Sequence, residues 1–323
     1  MTRRLVRRAA HGLALLAGVS LLSFVLVELA PGDFFGEMRL DPRMSEATVR
    51  LLRERHGLDR PLHERYLRWA GSLLRGELGF SFAYGQPVAP LVWPRARNTL
   101  VLTATATALA WSVAVPLGVW WAARRRRAAG HALSALTALL LALPDLVLAF
   151  ALLLLAVRTG WFPAGGMVSL GHEGMTAAGR LGDVLWHLAL PATALVLGVL
   201  PVLLRHVRAA VAATLHEPFV LAARAHGVPE GRLLFRHVLP AAANPLVSLF
   251  GLSLAGLLSM SLLVEVVMSW PGLGPLMLEA ILARDLHLVL GPVLASTLFL
   301  VCGNLLADVL LVAADPRIRA EEG

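Results

Sequence analysis

Six long apolar stretches alternate with polar, arginine-bearing segments along the chain, near residues 9–30, 98–122, 131–157, 186–206, 241–267 and 287–312. A hydrocarbon layer of about 30 Å takes roughly 20 helical residues to cross, so each stretch is long enough to span it. Backbone polar groups in lipid must be satisfied within the segment, so these runs predict helices and an all-α polytopic membrane protein with six transmembrane helices. The segment between the first two runs follows a different rhythm. Behind Pro61, the residues Leu62, Tyr66, Trp69 and Leu73 recur at i, i+4, i+7 and i+11 while Arg65, Arg68 and Arg75 fall elsewhere on the wheel, which describes an amphipathic helix ending by Gly76. A preceding helix is expected from Ser45 to His56, stopped by Gly57. Such helices lie in the interface or cap the bundle, with direct substrate contact as the alternative.

Orientation follows from the arginines. With the N-terminus inside, fifteen arginines fall in cytoplasmic connections (Arg3, Arg4, Arg7 and Arg8, Arg124 to Arg127, Arg205, Arg208, Arg224, Arg232, Arg236, Arg317 and Arg319) and three in short outside loops, Arg158, Arg180 and Arg284. The other eleven lie between residues 31 and 97, a segment long enough to escape the positive-inside rule, which weakens beyond about 60 residues. Both termini are therefore expected in the cytoplasm. The first run, behind its arginines, also reads as a signal peptide, but its length, Glu28 near its end and Pro31 after it favour a retained membrane anchor.

Composition agrees. Hydrophobic residues make up 57% and charged ones 15%, far from a soluble domain, and the net charge of +8 sits on arginines flanking apolar runs, so it reads as membrane topology and not as nucleic-acid binding. Catalytic readings fail on inventory. The chain has no lysine, and a Walker A phosphate cradle needs one. His172-Glu173 lacks the second histidine of a zincin motif, no Gly-x-Ser-x-Gly elbow is present, the eleven histidines are scattered, and Cys302 is the single cysteine. No catalytic residue, metal site or cofactor is expected, and any ATP hydrolysis belongs to another polypeptide.

One polar connection has a distinct design. Pro218 suits a helix's first turn and Gly227 its left-handed end, so Phe219-Val220-Leu221-Ala222-Ala223-Arg224-Ala225-His226-Gly227 reads as a short helix, and a second helix begins at Pro229 and runs to a break at Leu239-Pro240. Small residues, then glycine, then Leu-Pro thirteen residues later resemble the EAA loop of binding-protein-dependent ABC importer permeases. Further segments resemble the dipeptide, oligopeptide and nickel branch of that family: Ala30-Pro31-Gly32-Asp33, Gly57-Leu58-Asp59-Arg60-Pro61, Tyr66-Leu67-Arg68-Trp69, Leu78-Gly79, Gly160-Trp161-Phe162-Pro163, Ser269-Trp270-Pro271-Gly272-Leu273-Gly274 and Asp315-Pro316-Arg317-Ile318-Arg319. The long segment after the first span resembles the first of two permease subunits. Leu221 stands where the general motif has glutamate, and His237 beside Arg236 where isoleucine is common.

The resemblance implies a type I importer permease in the bacterial cytoplasmic membrane. It divides the chain into an N-terminus with the first helix (residues 1–30), an extracytoplasmic segment (31–97) and a permease core (98–323) that includes a cytoplasmic coupling loop at 207–240. It implies a second, homologous permease subunit, two ATP-binding cassette subunits and an extracytoplasmic solute-binding protein as partners, besides membrane lipid and without nucleic acid. It assigns coupling to the ATPase to Phe219, Ala222, Ala223, Gly227, Arg236 and Pro240. Short peptides are the leading cargo, with nickel chelates, glutathione-like peptides and opines as alternatives.

Charges inside apolar runs cost several kcal/mol unless paired or hydrated, roughly 3 kcal/mol or more at mid-span. Asp145, after Pro144 in the third run, either lines the translocation path or pairs with a polar group on a neighbouring helix. Glu265 near the outer end of the fifth run either forms part of an outer gate or reaches the interface. Asp308 is expected at the interface or with an arginine partner, and Glu28 in water. Two other classes stay open at this point: an ion-coupled secondary transporter, which would leave the Gly227–Pro240 loop unexplained, and a membrane enzyme, for which no nucleophile and base can be named.

Overall fold

The computed structural model describes residues 2–29, 59–123 and 127–314, with isolated positions 47, 51 and 54. The Ala30–Asp33 and Asp315–Arg319 motifs, the expected helix from Ser45 to His56 and Arg124 to Arg126 lie outside the described residues. The described chain is almost wholly helical: α1 (Thr2–Leu29), α2 (Leu62–Leu73), α3 (Val88–Ala123), α4 (Arg127–Ala142), α5 (Asp145–Thr159), α6 (Ala177–Thr214), α7 (Pro218–Ala225), α8 (Glu230–Leu233), α9 (Leu239–Ala241), α10 (Ala243–Val267), α11 (Leu273–Leu282) and α12 (Leu286–Ala314). A two-stranded antiparallel ribbon, β1 (Phe80–Ser81) with β2 (Gln86–Pro87), pairs Phe80 with Pro87 and Ser81 with Gln86.

Five of these helices, α1, α3, α6, α10 and α12, are long and apolar enough to cross a membrane, and α4 with α5 passes the same test only as a bent pair, the form of a broken span or a re-entrant loop. That break corrects the continuous third helix expected over residues 131–157. Proline disfavours helical backbone in the residue before it, so α4 stops at Ala142 and α5 starts at Asp145, and the two arms are bent by 100°. At 16 and 15 residues, each arm alone is only about 23 Å long, short of the hydrocarbon thickness. The fourth apolar run, expected over 186–206, is the middle of the 38-residue α6, which carries Pro191 and Pro201 inside it.

The chain divides into two compact units. The first holds residues 1–8, 100–270 and 300–323. Within it α6 is the central helix, packing against α4, α5 and α10. Leu195, Leu257 and Trp270 are fully or almost fully buried in one apolar cluster, with Ala192, Ala194 and Ala149 letting the helices approach. Its charges find partners where partners exist: Arg8 donates to Asp308, which settles that carboxylate on an arginine.

The second unit holds residues 9–99 and 271–299. In it α2 lies on α1 through Trp69 and Tyr66 against Phe24, with ring centroids 5.9 and 5.5 Å away, and Arg65 Nη1 donates to Glu28 Oε1 at 2.6 Å. Glu28, expected in water, therefore takes an arginine partner. The apolar stripe read from the sequence is the packed face of α2. Asp285, wholly buried, accepts from Ser81 Oγ (2.8 Å), Ala83 N (3.0 Å) and Leu288 N (3.2 Å), so one carboxylate caps the start of α12 and anchors the ribbon. Tyr84 O–H in the ribbon's turn donates to Glu279 of α11. That bond raises the phenol's pKa, since ionisation would break it, and burial and the Glu279 charge act in the same direction.

Candidate functional site

Two places in the first unit concentrate the chemistry expected from the sequence. The first is the connection between α6 and α10. Helix α7 begins with Pro218 at its first turn and ends at His226, after which Gly227 takes φ 78° and the Gly227 N–H bonds back to Arg224 O at 3.0 Å. These are the boundaries that proline and glycine predict. The second arm departs from expectation. Leu239-Pro240 is no break: α8, a π turn over Leu234–Val238 and α9 form one helical run through Pro240, interrupted only at Ala242 before α10. Widening the helix by one residue per turn just before a proline accommodates the missing N–H, so the run continues where an α-helix would kink.

The loop is fastened from inside. Val220, Leu233 and Val238 are fully buried in a cluster with Val119 of α3 and Val207 and Val211 of α6. At about 1.5–3 kcal/mol per buried side chain these three contribute roughly 6 kcal/mol before entropy is charged, enough to make the loop part of the helix ends it rests on. Across the Gly227 turn the arms are also joined by charge: Arg224 Nε donates to Glu230 Oε1 at 2.9 Å and Nη2 to Oε2 at 3.3 Å. Glu230 is not among the residues the sequence singles out, and only the question of what answers Arg224 finds it.

Part of what remains outside is apolar. Phe219, Leu221 and Phe235 are each about half exposed, at 46, 52 and 58%, and Ala222 is exposed beside them. Arg236 and Pro240 are also exposed on the second arm. Ala223 turns the other way and packs partly against the Val220 cluster. A cleft of about 690 Å³ opens next to the ion pair, walled by Trp120 and Pro116 of α3 and by Arg224, Glu230 and Phe235. An anchored turn with a free apolar face can receive force on one side and pass it to α3 and α6 on the other.

The second place is the break in the third span. Asp145 is the first residue of α5, where a carboxylate is favoured by the helix's N-terminal N–H groups, and its side chain is exposed. It approaches α6 where that helix has no side chain: a Cβ on Gly198 would come within 3.2 Å of Asp145 Oδ1 and 2.4 Å of Met260 Cε. Glu265 is placed differently. It is fully buried in α10, so it neither reaches an interface nor faces an open path in this structure. The structure does not bring Asp145, Glu265 and the loop residues into one site. Among the described residues no group of His, Cys, Asp and Glu has the arrangement of a metal site.

Comparison with known proteins gives these features a setting. Residues 114–320 match the family described as "Binding-protein-dependent transport system inner membrane component". The chain is 34% identical over 320 residues to the oligopeptide transport system permease protein AppB of Bacillus subtilis, covering 98% of this chain and 99% of that one. It is 33% identical to the oligopeptide transport system permease protein OppB of Mycobacterium tuberculosis, covering 99% of each chain, and 33% identical to the di/tripeptide transport system permease protein DppB of Pseudomonas aeruginosa, covering 94% of each. Its fold matches a chain of the MetNI methionine ABC transporter with a TM-score of 0.57 at 17% identity, over 70% of this chain and 96% of that chain. With the helical spans, the anchored loop between α6 and α10 and this chain-long likeness, the protein belongs to the inner-membrane components of binding-protein-dependent transport systems.

Proposed function

We propose that the chain is the membrane-spanning subunit through which an ATP-driven importer passes di- or oligopeptides delivered by a solute-binding protein. The observation that carries the cargo is the likeness over almost the whole chain to three permeases named for peptide transport. Family membership supports ATP-binding and substrate-binding partners. A second homologous permease and two ATPase subunits complete the assembly in this reading, with the residues at 31–97 outside and the loop within 207–240 in the cytoplasm.

In this mechanism the exposed face of α7, with Phe219 and Ala222, seats in the ATPase subunit. ATP binding draws the two ATPase subunits together and each carries its loop along. Because Val220, Leu233 and Val238 tie the loop to α3 and α6, that motion turns the spans and opens the path outward, and hydrolysis reverses it. A ligand or nucleotide shifts such an equilibrium only through contacts that differ between the two states, and the loop is where they are made. Asp145, at the break of the third span, lines the path, since a carboxylate there needs water or a cation.

The test is uptake by the assembled transporter in proteoliposomes, supplied with its binding protein and ATP. Labelled di-, tri- and hexapeptides should accumulate and compete with one another. Accumulation of a nickel chelate or an opine without competition from peptides would overturn the cargo and leave the subunit's role intact.

A further inference from the structure

Two guanidinium groups in the C-terminal part of α6, cytoplasmic in the topology proposed above, have no carboxylate partner among the described residues. Arg205 and Arg208, one turn apart and both exposed, line a cleft of about 450 Å³ with Trp121 at the end of α3 and Ser134 of α4, floored by Ala209 and Ala212. Neither side chain hangs loose. Arg205 Nε donates to Thr137 Oγ1 of α4 at 3.4 Å, and the Arg208 guanidinium lies over the Trp121 ring, 4.2 Å from its centroid. A guanidinium carries five N–H donors in a planar fork, so these contacts orient the two groups and leave most of their hydrogen-bonding capacity for a ligand. Such a pair matches the paired oxygens of a phosphate, which arginine takes two at a time.

The position of the cleft selects among phosphates. Arg205 and Arg208 stand at the inner end of the fourth apolar run, Trp121 at the inner end of the second and Ser134 just within the third, all on the side of the Arg124–Arg127 connection. That is headgroup depth on the cytoplasmic leaflet, where tryptophan and arginine both concentrate. Two turns along α4 on the same side as Ser134, Leu141 is 42% exposed and gives an acyl chain apolar contact. Basic pockets between spans on the cytoplasmic side hold anionic lipid headgroups. We propose that this cleft binds the headgroup phosphate of an anionic phospholipid of the inner leaflet. A lipid seated there bridges α4, the first arm of the broken span, to the stretch of α6 that leads into the loop.

The test uses the assembled transporter and native mass spectrometry with phosphatidylglycerol and phosphatidylcholine of matched chains. The wild-type complex should retain phosphatidylglycerol in preference to phosphatidylcholine. In the double variant Arg205→Gln with Arg208→Gln that preference should fall about 30-fold, which is two surface charges at about 1 kcal/mol each converted at 1.4 kcal/mol per decade. Ser134→Trp, which fills the cleft and keeps both charges, should lose it too, while Arg232→Gln, outside the cleft, should keep it. Equal retention of the two lipids by the wild type would overturn the proposal, and so would an undiminished preference in a cleft variant. Displacement of the lipid by glycerol phosphate at equal concentration would overturn it in favour of a soluble anion. Where a cleft variant fails to assemble, the wild-type comparison decides by itself.

Discussion

Arg224 and Glu230 face each other across the turn at Gly227, so the two arms of the loop are joined by a charge pair as well as by the chain between them. Both side chains are about half exposed, which limits the pair to about 1 kcal/mol or less and makes it a device for fixing an angle more than for holding the fold. Glu230→Gln should leave insertion and expression unchanged and reduce uptake severalfold. The exchange Arg224→Glu with Glu230→Arg should restore most of it. Uptake rates of Arg224→Glu, Glu230→Arg and the exchange form a double-mutant cycle, and losses that simply add would show that the pair does no coupling.

Gly227 isolates the backbone from the space around it. A Cβ there meets nothing within 4 Å, yet φ is +78°, a region that costs an ordinary residue about 1–2 kcal/mol. Gly227→Val should therefore lose uptake with the spans inserted, and Gly227→Asn, which tolerates the left-handed region, should keep most of it. Uptake and membrane content measured on both variants check this. Equal behaviour of valine and asparagine would remove the turn geometry from the account.

How much of this was legible beforehand depended on how local the signal was. Apolar runs of twenty or more residues located the spans, and Pro218 and Gly227 bounded α7, because each signal acts within a few residues of itself. The 100° break at Leu143-Pro144 was half visible: the proline was plain, but whether a chain kinks or stops there is settled by packing against α6 and α10. Passage through Pro240 depended on a π turn, which has no composition of its own. Long-range pairings such as Ser81 with Asp285, 204 residues apart, left no local pattern, and neither did the burial of Glu265 or the pairing of Glu28. Motif position alone did not separate Ala222 from Ala223, while one step on the wheel turns Ala223 inward and leaves Ala222 outside.

Asp145 and Gly198 make a pair of predictions about the path. Asp145→Leu should abolish most uptake while the complex and its ATPase subunits still co-purify. Gly198→Ala places a methyl 3.2 Å from Asp145 Oδ1 and 2.4 Å from Met260 Cε, a flexible end that can move, so it should assemble and transport more slowly. Uptake set against co-purified ATPase separates a path role from a folding role. Normal uptake by Asp145→Leu would take this residue off the path.

Asp285 carries the stability of the second unit. Asp285→Ala leaves the donors of Ser81, Ala83 and Leu288 without their acceptor, at about 1–3 kcal/mol for each of the two buried ones, Ser81 Oγ and Leu288 N. A loss of about 4 kcal/mol in total is expected, seen as a lowered midpoint in thermal unfolding of the purified complex. An unchanged midpoint would mean that water reaches these groups.

The central claim is that the exposed face of α7 receives the ATPase's motion, and Ala222 tests it most directly because its side chain touches the outside and not the chain's own cluster. Ala222→Glu puts a larger, charged group into the proposed contact, costing several kcal/mol, roughly 3, if it stays buried and unpaired there. Membrane insertion, ATPase co-purification and ATP-driven peptide uptake are measured on one preparation beside the wild type. Full insertion, at least a tenfold loss of co-purified ATPase and no uptake are expected. Full insertion with wild-type association and wild-type uptake would contradict the central claim.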